Sequence, residues 1–177
     1  QRTVPDQTSW TTNNYFSDAA GSLVSNSVGM AISYDCENRA TNYVAGAQTN
    51  QYRYDGMGNR VGRITNGVER IDVLDQGAAL HNVLMVLDAA GNPKCYFIWG
   101  NGLLAQVLTN GATYYYHPDR QGSTLAMTDT NGAVIAQYVY GPYGEILNQT
   151  GSIENPYTWI GGSGVWSDGH NPARASR

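Results

Sequence analysis

Short segments in which apolar or aromatic side chains alternate with polar ones recur along the chain. Side chains at alternate positions of a β-strand lie on the same face of the sheet, so this alternation predicts strands. In residues 134–140, one face would carry Val134, Ala136, Tyr138 and Tyr140. The segments predicted as strands are 52–54, 60–64, 94–99, 103–108, 113–116, 124–128 and 134–140.

The segment 76–87 is compatible with either a helix or a strand. Its apolar residues at helical spacing are Leu80, Val83, Leu84 and Leu87. The segment also contains β-branched residues, and a turn sequence begins directly after it at Asp88. We therefore predict a strand here.

A four-residue unit that begins with Asp and ends with Gly recurs between the predicted strands. Its six copies are Asp18 to Gly21, Asp35 to Asn38, Asp55 to Gly58, Asp88 to Gly91, Asp119 to Gly122 and Asp129 to Gly132. In a type I turn, an Asp at the first position accepts hydrogen bonds from backbone N–H groups that follow it. The residue that closes such a hairpin loop often has positive φ, which Gly adopts freely and Asn tolerates. The repeated unit therefore predicts hairpin turns, and it accounts for Asn38 in the second copy.

Four Asn-Gly pairs provide a second turn signal. They are Asn66-Gly67, Asn101-Gly102, Asn110-Gly111 and Asn131-Gly132. Each pair favours a tight type I′ turn, because both central residues of that turn have positive φ.

The fold class that follows is all-β: a repetitive meander of antiparallel β-hairpins in a strongly twisted and curled sheet. We expect residues 1–177 to form one domain, in which 10–166 carry the repeats and 167–177 form a loose tail. The tryptophans are expected to pack as plugs beside the sheet; they are Trp10, Trp99, Trp159 and Trp166.

Composition and charge narrow the classes of function. Charged residues make up 14% of the chain, and 13 tyrosines against 2 phenylalanines mean that Tyr carries much of the apolar area. The net charge of −4 comes without a basic stripe, which argues against nucleic-acid binding. No apolar run is long enough to span a membrane. Cys36 and Cys95 have no nearby Cys or His, so we expect free thiols, no metal site and no cofactor.

Two pairs of segments extend the turn units into longer motifs. Residues 34–41 (YDCENRAT) and 54–61 (YDGMGNRV) resemble YD repeats. Residues 116–123 (YHPDRQGS) and 138–145 (YVYGPYGE) are similar to the RHS repeat-associated core. The chain therefore resembles RHS/YD proteins over about residues 10–166, a family that includes bacterial RHS proteins, the C subunits of insecticidal toxin complexes, wall-associated proteins and teneurins.

The resemblance implies a structural role. In this family such repeats form a long sheet that spirals into a hollow shell, and in the polymorphic-toxin members the shell encloses a C-terminal toxin. The chain is then expected to be a non-catalytic fragment of a shell wall from a secreted or cell-surface bacterial protein. Its implied partners are further RHS repeats and a cargo toxin. The family's self-cleavage segment is not completed in the stretch after Trp159.

A small hydrolase on a YD scaffold is the first alternative. A glycosidase requires two carboxylates across a cleft. Asp119 and Glu145 are the candidate catalytic pair, since Glu145 lies outside the turn units. Both residues also have a structural explanation, because Asp119 opens a turn and Glu145 lies at a strand end.

A glycan-binding module is the second alternative. It would use tyrosines that share a sheet face, either Tyr114 with Tyr116 or Tyr138 with Tyr140. Packing of these rings across strands is the competing explanation. Independently of function, unpaired sheet edges would favour self-association of the chain.

Overall fold

Residues 13–77 and 81–167 are described by a computed structural model, in which fourteen strands form one sheet. The strands are β1 Tyr15–Ser17, β2 Leu23–Asn26, β3 Met30–Tyr34, β4 Ala40–Ala45, β5 Gln48–Tyr54, β6 Arg60–Thr65, β7 Val68–Leu74, β8 Val83–Asp88, β9 Pro93–Gly100, β10 Gly102–Leu108, β11 Thr113–Pro118, β12 Thr124–Thr128, β13 Val134–Tyr140 and β14 Ile146–Thr150. Each strand pairs antiparallel with its neighbours in sequence. The predicted all-β antiparallel meander is confirmed.

The strands follow the sequence pattern closely. All seven segments predicted from alternation lie within β5, β6 and β9 to β13. The ambiguous segment 76–87 contributes Val83–Leu87 to β8, whereas Gln76 and Gly77 belong to the preceding turn. Leu80, Trp10 and the predicted tail beyond Ser167 lie outside the described residues.

The predicted face of β13 is interrupted by a bulge at its start. The pairing of β12 with β13 shifts register between Met127 and Thr128, so Val134 lies opposite Thr128. A bulge adds one residue to a strand and moves the side chains on one side of it to the other face. Val134 is therefore exposed, whereas Ala136 and Tyr138 are buried.

The two faces of the sheet have different environments. One face, which we call the covered face, is packed against residues 152–167 at the C-terminal end of the described chain. The buried cluster beneath this cover is Val83, Val86, Phe97, Leu103, Tyr116, Met127, Ala136 and Tyr138, together with Tyr157 and Trp166 of the cover. The other, open face carries exposed residues such as Tyr96, Ile98 and Tyr115.

The cover extends over only part of the sheet. Every apolar residue of the buried cluster comes from β8 or later. Among the described residues of β1 to β7, Ile32 is the buried apolar side chain, and the buried polar ones are Asn50 and Asp72. The sheet therefore has a packed C-terminal half and a thinner N-terminal half.

The six Asp-initiated units share one hydrogen-bond pattern. In each, an Asp Oδ1 accepts from the backbone N–H groups two and four residues later at 2.8–3.0 Å. The N–H of the fourth residue donates to the Asp carbonyl at 3.0–3.1 Å. That fourth residue always has positive φ, from 61° at Asn38 to 88° at Gly122.

The Asn-Gly pairs form two kinds of turn. Asn66 and Gly67 both have positive φ, at 49° and 82°, as expected for a type I′ turn. In the other three pairs only the Gly has positive φ. Gly111 and Gly132 instead close turns by donating their N–H to the carbonyls of Leu108 and Asp129. The type I′ prediction is thus wrong for those three pairs. At Gly111 and Gly132 the turn begins two residues before the Asn, and Gly102 is already the first residue of β10.

Replacing Gly58 with Ala should destabilise the protein. Gly58 has a φ of 87° but open space around its Cα, with the nearest side-chain atom at 3.6 Å from an ideal Cβ. The loss of about 1–2 kcal/mol therefore reflects the left-handed backbone alone. Gly56, in the same turn and without positive φ, is the matched control. Urea unfolding should show little or no loss for Gly56→Ala, and equal losses at both positions would contradict this explanation.

Candidate functional site

Successive turns of a meander alternate between the two ends of its strands. One end, which we call the tyrosine rim, carries the turns that begin at Asp18, Asp35, Asp55, Asp75, Asn101, Asp119 and Gly141. The other end, the opposite rim, includes the turns that begin at Asp88 and Asp129. The six Asp units, alike in sequence, are thus divided between the two rims.

Aromatic side chains tie each turn of the tyrosine rim to the turn before it. The donor is the hydroxyl of the Tyr just before a rim turn. The acceptor is a backbone carbonyl just after the previous turn on the same rim, at the first residue of the strand that follows it. Tyr34 donates to Leu23 at 2.9 Å, Tyr54 to Ala40 at 2.7 Å, and Tyr140 to Thr124 at 2.7 Å. Trp99 replaces Tyr at the end of β9 and donates its indole N–H to the Val83 carbonyl at 2.9 Å.

Two positions that correspond to these aromatics cannot donate, and other contacts replace them. Leu74 ends β7, but His81 Nδ1 in the next loop lies 2.6 Å from Asn59 Oδ1 of the previous rim turn. Pro118 ends β11, and there Gly162 of the cover donates its N–H to the Gly122 carbonyl at 2.8 Å. Gly162 also approaches the turn at Gly102, where an added Cβ would lie 3.3 Å from its carbonyl oxygen. Every pair of neighbouring turns on this rim is therefore linked.

Charge reinforces the rim in its N-terminal part. Arg39 Nε donates to Asp35 Oδ2 at 2.7 Å, and the Arg39 guanidinium lies 4.9 Å from the ring centre of Tyr54. Hydrogen bonds from the Arg39 backbone and side chain lower the pKa of Asp35. Bonds from Asn59 lower the pKa of Asp55 in the same way. The first oxygen of each carboxylate closes its own turn, and the second binds a neighbouring side chain.

The cover is held by an aromatic cluster. Tyr157 packs edge-on against Phe97, Trp99 and Trp166, with ring centroids 4.9, 5.3 and 5.1 Å apart. Such pairs contribute about 0.5–1.5 kcal/mol each beyond the burial of apolar area. Arg63 from β6 lies over the Trp166 ring at 5.4 Å. The cover thus reaches from the C-terminal strands back to the N-terminal half of the sheet.

Backbone hydrogen bonds fix the path of the cover above β12. The Thr124 N–H donates to the Thr158 carbonyl at 2.9 Å, and its hydroxyl donates to the Tyr157 carbonyl at 2.6 Å. The Ile160 N–H donates to Ser123 Oγ at 3.1 Å. Ile160 has a φ of 53°, a costly conformation for a β-branched residue, which persists because these neighbours determine it.

A polar network lies below the cover. The buried Tyr116 hydroxyl is 2.9 Å from Gln106 Oε1 and 3.1 Å from Asn155 Oδ1. Burial raises the pKa of Tyr116 and of Tyr157 far above the usual value, so both remain neutral.

Trp159 lies against Tyr140 and so close to Gly144 that an added Cβ would be 2.7 Å from the indole ring. The cover therefore requires a side chain no larger than hydrogen at Gly144.

The candidate catalytic carboxylates lie on successive turns of the tyrosine rim. Asp119 Oδ1 accepts from the N–H groups of Gln121 and Ser123, and Glu145 Oε2 accepts from the N–H of Tyr143 at 3.1 Å. Asp119 lines an open depression with Tyr140 and Trp159, and Glu145 is not part of that lining. Each carboxylate is thus engaged in its own turn.

The tyrosines predicted as a glycan platform lie on the covered face. Tyr116 is 6% exposed and Tyr138 is 4% exposed. Tyr138 stacks on Tyr140, and Tyr114 packs against the core cluster. A sugar could not stack on the two buried rings, and the Tyr138–Tyr140 contact lies within β13.

Cysteine and metal chemistry add little to the site. Cys36 is exposed and Cys95 is partly buried, and neither forms a disulfide. Burial raises the pKa of Cys95 to about 11, which keeps the thiol protonated at neutral pH. Within 13–77 and 81–167, His, Cys, Asp and Glu side chains form no group of three that could hold a metal ion. The described residues also contain no helix long and apolar enough to cross a membrane.

Comparison with known proteins identifies the family. The family model for the teneurin YD-shell matches residues 8–166. The chain belongs to this family. Teneurin-1 from Gallus gallus is 33% identical over 118 residues, and the tRNA3(Ser)-specific nuclease WapA from Bacillus spizizenii is 32% identical over 114 residues. These matches cover 64% and 62% of the YD-shell chain but only 4% and 5% of the two relatives, so the chain spans about one twentieth of their length.

Solved structures of longer chains share this fold. The Photorhabdus luminescens Tc holotoxin pore, solved with a TccC3 variant, matches with a TM-score of 0.57 and 15% identity. The match covers 90% of the YD-shell chain and 9% of the longer one. The TcdB2-TccC3-Cdc42 crystal structure gives a TM-score of 0.54 at 14% identity and covers 78% and 8% of the two chains. At these identities the likeness establishes the shell-type sheet and no more.

Sequence reasoning missed several structural residues. Asn26 begins a turn like those of the Asp units, since its Oδ1 accepts from the N–H groups of Val28 and Met30. An Asn-x-x-Gly search, ending at Gly29, would have found it. The cover had no comparable signal, because nothing local in residues 152–167 predicts that Tyr157 and Trp166 pack on a sheet.

Removing the hydroxyl of Tyr54 or Tyr140 should weaken the tyrosine rim. Each Phe substitution leaves a carbonyl without its donor and should cost about 1 kcal/mol of unfolding free energy. Tyr143 lies on the same rim but is 81% exposed. Chemical denaturation of Tyr143→Phe, the matched control, should give a change within about 0.5 kcal/mol. If all three variants behave alike, the rim bonds do not contribute to stability.

Proposed function

We propose that the chain is a section of the wall of a YD shell that encloses a cargo polypeptide. The observation that carries this proposal is the sheet itself: fourteen strands in sequence order, with one face covered by the chain's own C-terminal segment and the two outer strands unpaired among the described residues. A section of wall needs outer strands that further repeats can continue. Family membership supports the same role.

The outer strands have the chemistry of an extendable sheet. Phe16 of β1 and Leu147 of β14 are exposed, and all five residues of β14 are exposed. Unpaired strands present backbone N–H and C=O groups that pair readily with another chain. The described parts of both strands contain no Pro, Lys or Arg, which natural proteins use to block such pairing. The partners that fit these strands are further YD repeats.

The relatives support one kind of cargo. One relative is a tRNA-specific nuclease and the structural neighbours are parts of toxin complexes. We infer that the cargo is a toxin domain encoded in the same reading frame, and that the assembled protein acts outside the bacterial cell or at its surface. The chain itself supplies enclosure in this scheme, and Asp119 and Glu145 have structural roles in their turns.

The repeats and their cover form one structural unit in this proposal. The Asp turns at 18–21, 35–38, 55–58, 88–91, 119–122 and 129–132 set the positions of the strands. Arg63 and Trp166 connect the N-terminal half of the sheet to the cover. We therefore propose that residues 1–177 form a single domain, in which 10–166 carry the repeats.

The isolated chain should self-associate through its outer strands. Light scattering should show a mass that rises with concentration, and Phe16→Lys with Leu147→Lys should reduce it, because charge on an outer strand opposes pairing. Met57→Lys is the matched control, since Met57 is 79% exposed in a turn away from both outer strands. A monomer at high concentration, or an equal effect of the control, would argue against a wall section.

A cargo enclosed by the assembled shell should resist proteolysis. In the complete reading frame, we expect the toxin domain to be cleaved much more slowly than the same domain alone. Phe97→Ala should accelerate its cleavage, because losing a buried Phe costs about 3–5 kcal/mol and loosens the wall below the cover. Tyr143→Ala at the exposed rim serves as control. Equal cleavage of the enclosed and the isolated toxin would contradict encapsulation.

A further inference from the structure

The open face of β8 to β13 carries two exposed tyrosines. Tyr96 is 40% exposed and Tyr115 is 44% exposed, on β9 and β11 respectively. Both lie on the face opposite the cover, since they alternate with the buried Phe97 and Tyr116. These two rings, unlike Tyr116 and Tyr138, face away from the core.

Cross-strand pairing places the two tyrosines in adjacent rows. Tyr96 lies opposite Met85 on one side and Val107 on the other. The next row is formed, in order, by Ile98, Ala105, Tyr115, Thr128 and Val134. Two strand spacings and two residues along a strand separate the tyrosines by about 12 Å. The short side chains of Val107 and Ala105 lie between them.

Polar groups border the aromatic rows. His117, Ala126, Gln137 and Thr150 form the third row toward β14. His117 Nε2 lies 2.9 Å from Thr128 Oγ1, so an imidazole and a hydroxyl stand next to Tyr115. These groups can both donate and accept hydrogen bonds.

Charge is absent from the middle of this surface. The paired open-face positions of β8 to β13 named above include no carboxylate, ammonium or guanidinium group. Lys94, the nearest cation in alternation with Tyr96, lies at the end of β9 on the opposite rim. On β5 and β7 the same face carries the ion pair of Arg53 with Glu69. The charged part of the open face thus lies on β5 and β7, outside the strands that carry Tyr96 and Tyr115.

We propose that the open face of β8 to β13 binds neutral polysaccharides, with Tyr96 and Tyr115 as stacking platforms. A pyranose ring presents apolar C–H groups on its faces and hydroxyls around its edge, which matches two rings bordered by hydrogen-bond donors and acceptors. The distance between the rings suits a run of sugar units, and the positions between them, Val107 and Ala105, offer no cation to a uronic acid or a phosphate. The site lies on the face opposite the cover and uses no residue of the buried cluster.

Affinity electrophoresis of the complete chain tests the site, with laminarin and xyloglucan as neutral probes and polygalacturonate as an anionic one. We expect at least one neutral polymer to retard the chain and polygalacturonate not to. Tyr96→Ala or Tyr115→Ala should weaken binding by about tenfold, as aromatic anchors do at binding sites. Tyr96→Phe keeps the stacking ring and should retain most of the affinity. Tyr143→Ala, the same change at an exposed rim tyrosine, should have no effect.

Amide hydrogen exchange of the unaltered chain gives a second readout that does not require variants to fold. Bound polymer should protect β9 to β12 and leave β2 to β5 unchanged. Three results would overturn the proposal: no retardation by either neutral polymer, equal retardation by polygalacturonate, or protection confined to other strands. Self-association that depends on Tyr96 and Tyr115 without sugar binding would likewise show that this face binds protein instead. None of these results bears on the protease protection of a cargo.

Discussion

The sheet depends on hydrogen bonds that aromatic side chains donate between neighbouring turns of the tyrosine rim. A long meander has few contacts between residues that are distant in sequence, so its strands are held mainly by backbone ladders to the next strand. The hydroxyls of Tyr34, Tyr54 and Tyr140 add a second connection that spans two strands at a time. The donor precedes one turn and the acceptor follows the previous one, so the bond fixes the distance between them. A turn that moved out of line would leave a carbonyl without its partner.

This constraint matters most in the N-terminal half of the sheet. There the covered face has no cluster like that around Phe97, and Ile32 is its buried apolar residue among those described. Hydrogen bonds, the Arg39 ion pair and the cation–ring contact on Tyr54 take over part of the role of a hydrophobic core. The C-terminal half combines rim bonds with aromatic packing. The two halves thus reach the same fold by different balances of polar and apolar interactions.

The local features of the fold could be predicted from sequence and the distant ones could not. The turn at 55–58 depends on an Asp and a Gly three residues apart, and the strand at 124–128 on the alternation of adjacent residues. Both signals are local, so the sequence predicts both elements. Tyr54 donates to the backbone carbonyl of Ala40. Because every residue has such a carbonyl, the sequence does not indicate which one accepts this hydrogen bond. A one-residue bulge reversed the predicted face of Val134. The cover was missed because its contacts, such as Thr124 with Tyr157, join residues far apart in the chain.

The nonlocal cover also explains why the number of tyrosines does not show which of them are exposed to a ligand. Composition shows that Tyr replaces Phe throughout, and alternation shows which rings share a face, but only the position of the cover decides which face is wet. With residues 152–167 packed over Tyr116 and Tyr138, those hydroxyls are buried and find partners such as Gln106 and Asn155. Tyr96 and Tyr115 each stand one position before a buried aromatic residue of their own strand, Phe97 and Tyr116 respectively, and both are exposed. A single nonlocal segment therefore assigns one set of tyrosines to structure and leaves the other set available for recognition.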